Sequence, residues 1–178
     1  MTISKRHPSE CYVDEALALD DRIVVMRDGC TEQIAPRDRI YGEPEIEFVA
    51  GFIGSMNFIR TTVRGGVSRH AAFALSVPVA DGDVVLAVRP EALSLVAAKG
   101  MGGGIVHRSI DFGTHTIVEV DLADATRVKA MTSSNSALAK GASVEPVASA
   151  FRAFWDNRLI HESGAIAARQ NNRVFGHA

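Results

Sequence analysis

The stretch IVHRSIDFGTHTIVEVDL, Ile105 to Leu122, decides the fold class. In its second half Val118, Val120 and Leu122 alternate with Glu119 and Asp121. A period of two marks a strand with one buried and one wet face. Phe112-Gly113 breaks the pattern and reads as the corner between two paired strands. Upstream, the glycine cluster from Gly100 to Gly104 reads as a flexible turn into the strand at Ile105. Downstream, Asp124 sits in a turn, Arg127 to Met131 alternates again, and Lys140-Gly141 precedes a strand at Val144 to Val147.

The same grammar extends further out. Val84 to Val88 is an unbroken apolar run, as expected of a buried strand. Pro90 cannot donate to a ladder and interrupts it, and Leu93 to Val96 resumes as a short extended piece. Asn57 to Val63 alternates loosely. Gly65-Gly66 signals a hairpin, with Val67 to Val77 as its return strand and Asp81-Gly82 as the next turn. Phe151, Phe154 and Trp155 are apolar neighbours, and all three are expected in the core. Roughly five to eight short strands with regular turns predict a mainly β fold, a small Greek-key barrel related to the OB-fold. It spans residues 55–160, with a flexible polar tail over 161–178.

Ahead of the barrel lies a different kind of segment. Residues 1–13 show no periodicity and read as a disordered start. Asp14 is placed to cap a short helix over Glu15 to Leu19. Ile23 to Met26 and Cys30 to Ile34 flank Asp28-Gly29, a tight-hairpin signal because both central residues tolerate positive φ. Pro36 starts a helix that Gly42 stops, and Pro44 starts another. Phe48, Val49, Phe52 and Ile53 fall on one face of that second helix. Residues 14–54 thus form a small α/β appendage. Its hairpin edge is free to pair, as a dimer contact or an aggregation hazard.

Composition bounds the function. The chain has 178 residues, 47% of them hydrophobic, enough for a small core. A net charge of −2 gives no electrostatic reason to expect a nucleic-acid partner. No run approaches about 18 consecutive apolar residues, so no membrane insertion is expected. The N-terminus lacks the apolar region of a secretory signal. Cys11 and Cys30 form no C-x-x-C pair, which argues against zinc and for a reducing compartment.

Candidate sites are few. Arg89 and Glu91 bracket Pro90 and are candidates to contact a partner or a small anion; a salt-bridged loop is the simpler reading. His107 and His115 flank the Phe112-Gly113 corner. Nothing supplies further ligands, so no metal is expected there, and His115 stays a candidate partner or ligand contact. Asp20-Asp21 reads as a solvated turn. Ser133, Ser134 and Ser136 lie in no G-x-S-x-G elbow, so no catalytic residue is assigned.

These residues also carry a resemblance. DRIVVM from Asp21, Asp28-Gly29, Ile40-Tyr41, and FVA and FIG between Phe48 and Gly54 resemble the end of the nucleotide-binding domain in importer-type ABC transporter ATP-binding subunits. The spermidine/putrescine-like branch and its relatives are the most similar. The V-R-P-E run at Val88 to Glu91 and the corner residues Phe112, Gly113, His115 and Thr116 resemble the TOBE domain that follows in that family.

The resemblance implies a regulatory and dimerising portion of a subunit that imports a small solute, with a polyamine as one reading. In the full-length family that subunit uses ATP and magnesium, forms homodimers and works with permease subunits at the cytoplasmic face of the membrane. The match has gaps. Where the family carries a T-H-D-Q segment, the histidine position falls on Cys11, followed by Tyr12 and Val13, and His7 is four residues too early. No G-x-x-x-x-G-K-[ST] loop is present to wrap phosphates in backbone N–H groups. The expectation is a chain that keeps an ATPase tail without its catalytic body, holds no cofactor and is not itself an enzyme. Two alternatives stand beside it: a free-standing TOBE-type binder of small oxyanions, with Ser133, Ser134, Ser136 and Lys140 as donors, and a non-functional truncated remnant.

Overall fold

The computed structural model describes residues 2–3, 21–70, 73–98, 103–134 and 138–164. The helix expected over Glu15 to Leu19 and residues 165–178 of the tail lie outside these ranges.

The fold is mainly β, as the alternation predicts. A six-stranded sheet runs in the order β14 (Arg158–Ser163), β13 (Phe151–Trp155), β7 (Gly82–Val88), β4 (Asn57–Arg64), β5 (Val67–His70), β6 (Phe73–Ser76). A five-stranded sheet runs β11 (Arg127–Thr132), β10 (Thr116–Leu122), β9 (Gly104–Asp111), β12 (Ser143–Ala148), β8 (Leu93–Ala97). All named pairings within these two sheets are antiparallel.

Their inner faces share one core. Ile59 and Val63 of β4, Leu86 and Val88 of β7, Val118 and Val120 of β10 and Val128 of β11 are all buried in it. The run Val84 to Val88 is buried throughout. It occupies the middle of the six-stranded sheet, between β4 and β13, which explains why it does not alternate.

The strands outnumber the expectation for two local reasons. The return strand expected over Val67 to Val77 is split into β5 and β6, which pair with each other, Val67 opposite Ser76. A second hairpin, β13–β14, turns at Asp156-Asn157, where both residues have positive φ (47° and 61°). Short Asp and Asn side chains tolerate that conformation, so the signal was in the sequence but not read. Strand β14 continues to Ser163, past the expected barrel end at Ile160. Trp155, expected in the core, is 62% exposed because it ends its strand beside this turn.

The appendage forms a third sheet. Strands β2 (Arg22–Arg27) and β3 (Cys30–Pro36) make the expected hairpin, with Asp28 and Gly29 at φ 50° and 82°. β1 (Thr2–Ile3) pairs in parallel with Val24 and Val25, within the stretch expected to be disordered. Helices α1 (Arg37–Gly42) and α2 (Glu47–Phe52) follow. Ile23, Val25, Ala35, Ile40, Val49 and Ile53 close a separate small core. α2 starts at Glu47 rather than at Pro44 because the backbone before it is engaged elsewhere. Leu159 N–H donates to the Glu45 carbonyl at 2.9 Å, and Ile46 bridges Arg158. No helix among the described residues is long and apolar enough to cross a membrane.

Candidate functional site

Of the three buried charged side chains among the described residues, two, Arg89 and Arg152, lie at the junction between appendage and barrel. It starts from an unmet need. The last carbonyls of a helix have no partner within it. In α1 these include Tyr41 and Gly42, and Ile53 is the residue that caps α2. Two arginines from the barrel supply the donors.

Arg89 follows β7 and is 1% exposed. Its Nη1 donates to the Ile53 carbonyl at 2.5 Å and to the Ser55 carbonyl at 3.4 Å, and its Nη2 to the Tyr41 carbonyl at 2.8 Å. The guanidinium lies 3.9 Å from the centroid of the Tyr41 ring, a cation–π contact. Gly54, at φ 75°, leaves room for it: a Cβ there would come within 3.4 Å of Nη1. The Tyr41 hydroxyl meets the Glu91 carboxylate across the surface of the same junction.

Arg152 reaches the junction from β13 and is 4% exposed. Its Nε and Nη2 donate to the Gly42 carbonyl at 3.1 and 2.7 Å. Its Nη1 donates to the Phe151 carbonyl at 3.1 Å, and Glu162 lies 3.5 Å from Nε. Beneath them Ala50 of α2 packs on Val85, Ala87 and Phe154, with Met56 and Leu159 at the margin. Gly51 is held close as well, since a Cβ there would meet the Phe58 ring at 3.0 Å.

The expected site residues therefore separate. Arg89 is inside, and the polar contacts described for it go to backbone carbonyls rather than outward to a partner or an anion. Glu91 is exposed and tied to Tyr41. His115 is far along the chain at the β9–β10 corner, stacked on the 58% exposed Phe112 ring at 5.2 Å, with the Thr114 hydroxyl 3.0 Å from its Nδ1. Arg152 was not singled out from the sequence. The available signal was a charged residue inside an otherwise apolar strand, Phe151-Arg152-Ala153-Phe154.

His107 does not face His115. A bulge in β9 takes it out of register, and its Nδ1 stands 3.2 Å from Asp121 and 3.2 Å from Arg127. It joins a row of charges on the outer face of β9, β10 and β11. Arg108 holds Glu119 with two bonds, at 2.8 and 2.9 Å, and Arg127 holds Asp121 at 2.7 and 3.2 Å. The Arg108 hydrogen bond keeps the Glu119 carboxyl below its ordinary range despite the opposing effect of burial. Arg127 does the same for Asp121. Among the described residues no group of three or more His, Cys, Asp or Glu could hold a metal ion. Ser133 and Ser134 are described, whereas Ser136 lies outside the described residues.

Residues 86–148, from the middle of β7 to the end of β12, match the family described as TOBE domain. That stretch is similar to a TOBE domain. Among curated proteins, the spermidine/putrescine import ATP-binding protein PotA 1 of Pseudomonas aeruginosa is 36% identical over 138 residues, covering 70% of this chain and 37% of that protein. The sn-glycerol-3-phosphate import ATP-binding protein UgpC of Cereibacter sphaeroides is 38% identical over 118 residues, 64% of this chain and 34% of the relative. The sulfate/thiosulfate import ATP-binding protein CysA 1 of Rhizobium meliloti is 34% identical over 137 residues, 65% and 40%. The chain thus spans little more than a third of the length of the curated relatives it matches. It resembles the TOBE-bearing part of importer ATP-binding subunits.

Proposed function

We propose that this chain is the regulatory and dimerising C-terminal portion of an ABC importer ATP-binding subunit, and that it neither binds nor hydrolyses ATP by itself. The observation that carries the reading is the continuity of two parts. A TOBE domain is fastened, through Arg89 and Arg152, to an α/β segment whose sequence resembles the end of a nucleotide-binding domain. The absence of a G-x-x-x-x-G-K-[ST] loop from the sequence supports the claim on ATP.

In the assembled machine the partners are a second copy of the subunit and permease subunits, and the work is import of a small solute from a position at the cytoplasmic face of the membrane. The spermidine/putrescine relative supports a polyamine as that solute, while relatives of similar identity are named for a phosphate ester and for sulfate.

Light scattering with and without ATP tests this. The expected result is a dimer whose mass ATP leaves unchanged. Monomers overturn the dimerising role, and an ATP-dependent change in mass, or stoichiometric ATP binding in calorimetry, overturns the claim that the nucleotide site is missing.

A further inference from the structure

We propose that Arg89 and Arg152 form a two-point clamp that makes α1, α2 and the barrel one mechanical body, so that a displacement imposed on the helices is delivered to the barrel with no hinge between them. The clamp is a property of this chain and stands whichever machine the chain serves.

The segment from α2 to β4 would otherwise be a natural hinge. Gly54 has positive φ, Ser55 and Met56 belong to no helix or strand, and α1 and α2 are six residues each, too short to be stable alone. The barrel holds both sides of that connection. Arg89 grips the end of α1 at Tyr41 and the end of α2 at Ile53 with one guanidinium. Arg152, from a different strand, grips Gly42. Two separated anchors on one rigid sheet remove rotation as well as translation, which one anchor would not.

Both side chains are buried, so loosening either leaves a charge and several carbonyls without partners inside. The third contact, between Leu159 and Glu45, adds the edge strand β14 to the grip.

Native-state hydrogen exchange on the full chain reads this directly. The amides to follow are Ala50 and Ile53, which donate within the α2 region, and Leu86 and Ala87 in β7. In the unaltered protein all four are expected to join a single denaturant-dependent opening. In Arg152→Lys, which keeps the charge but loses the fork, Ala50 and Ile53 are expected to exchange at least about tenfold faster while Leu86 and Ala87 stay unchanged. Separate openings for α2 and β7 in the unaltered protein overturn the clamp. Equal acceleration at all four amides in the variant, or none, also overturns it, because the arginine would then contribute only to overall stability or not at all. If the variant fails to fold, the result on the unaltered protein decides.

Discussion

The appendage and the barrel are built on different scales, and they solve the same problem differently. The barrel surrounds a large core with eleven strands from two sheets and draws its stability from inward-facing Val, Leu and Ile. Among the described residues the appendage closes on only six buried apolar side chains, a far smaller core. It compensates at its border. Gln33 is buried and spans the turn between the helices, donating to the Glu43 carbonyl at 3.2 Å and accepting from Glu45 N–H at 3.0 Å. Phe154, wholly buried, packs its ring under Ala50. The smaller region is held by polar fastening and a borrowed aromatic surface, the larger by its own interior.

The largest test of that contrast lies at Phe154. Phe154→Ala removes the ring on which α2 rests and is expected to destabilise the chain by about 3–5 kcal/mol, read as a shift of the denaturant midpoint. Next is Ile40→Ala, in the appendage core. If appendage and barrel unfold together, it lowers the stability of the whole chain by about 2–5 kcal/mol. A barrel transition that stays in place would show two independent units and break the comparison. A smaller effect is expected from Gly29→Ala. A non-glycine residue at φ 82° loses about 1–2 kcal/mol in the β2–β3 turn.

The charged face of the barrel gives a pH test. The folded Glu119 and Asp121 carboxyls lie below their ordinary values, chiefly through hydrogen bonds from Arg108 and Arg127. Asp124 is lowered too: burial opposes the shift, but Thr126 and the nearby His70 outweigh it. A folded pKa below the unfolded one means the unfolded chain takes up protons first. The stabilisation is therefore complete above the ordinary carboxyl values near ~4 and is lost as pH falls through the folded values. Glu119→Gln should flatten the acid limb of stability against pH while leaving the neutral limb with the same shape. An unchanged acid limb would place the acid sensitivity elsewhere.

Much of this was legible. Period-two alternation located β10 and β11, the apolar run located β7 as a buried strand, and Asp28-Gly29 located the first hairpin. The Asp156-Asn157 turn was a local signal passed over, whereas the missed junction contacts join segments distant in sequence. The grip of Arg152 on Gly42 joins residues 110 positions apart, and no local pattern encodes it. Arg89 was noticed for its place beside Pro90, but its burial comes from α1 and α2 folding over it. The splitting of Val67 to Val77 has no strong breaker in the sequence, and the tip at 71–72 lies outside the described residues.

Adjacent aromatics supply the smallest and most discriminating prediction. Sequence assigned Phe154 and Trp155 alike to the core, because both are large and apolar. In a strand, neighbours point to opposite faces. Phe154 faces the appendage and is covered by it, whereas Trp155 stands at the strand end beside Asp156-Asn157 with most of its indole in water. It lines an open groove of about 480 Å³ together with Arg60, Asp83 and Glu47 of α2. Trp155→Ala should change stability by no more than about 0.5 kcal/mol, since little is uncovered when the ring is removed. A loss comparable to that of Phe154→Ala would mean that the indole is covered in solution, by a second copy of the chain or by another surface. The dimer mass measured in parallel would tell these apart, because a concentration-dependent stability loss belongs to the second copy alone.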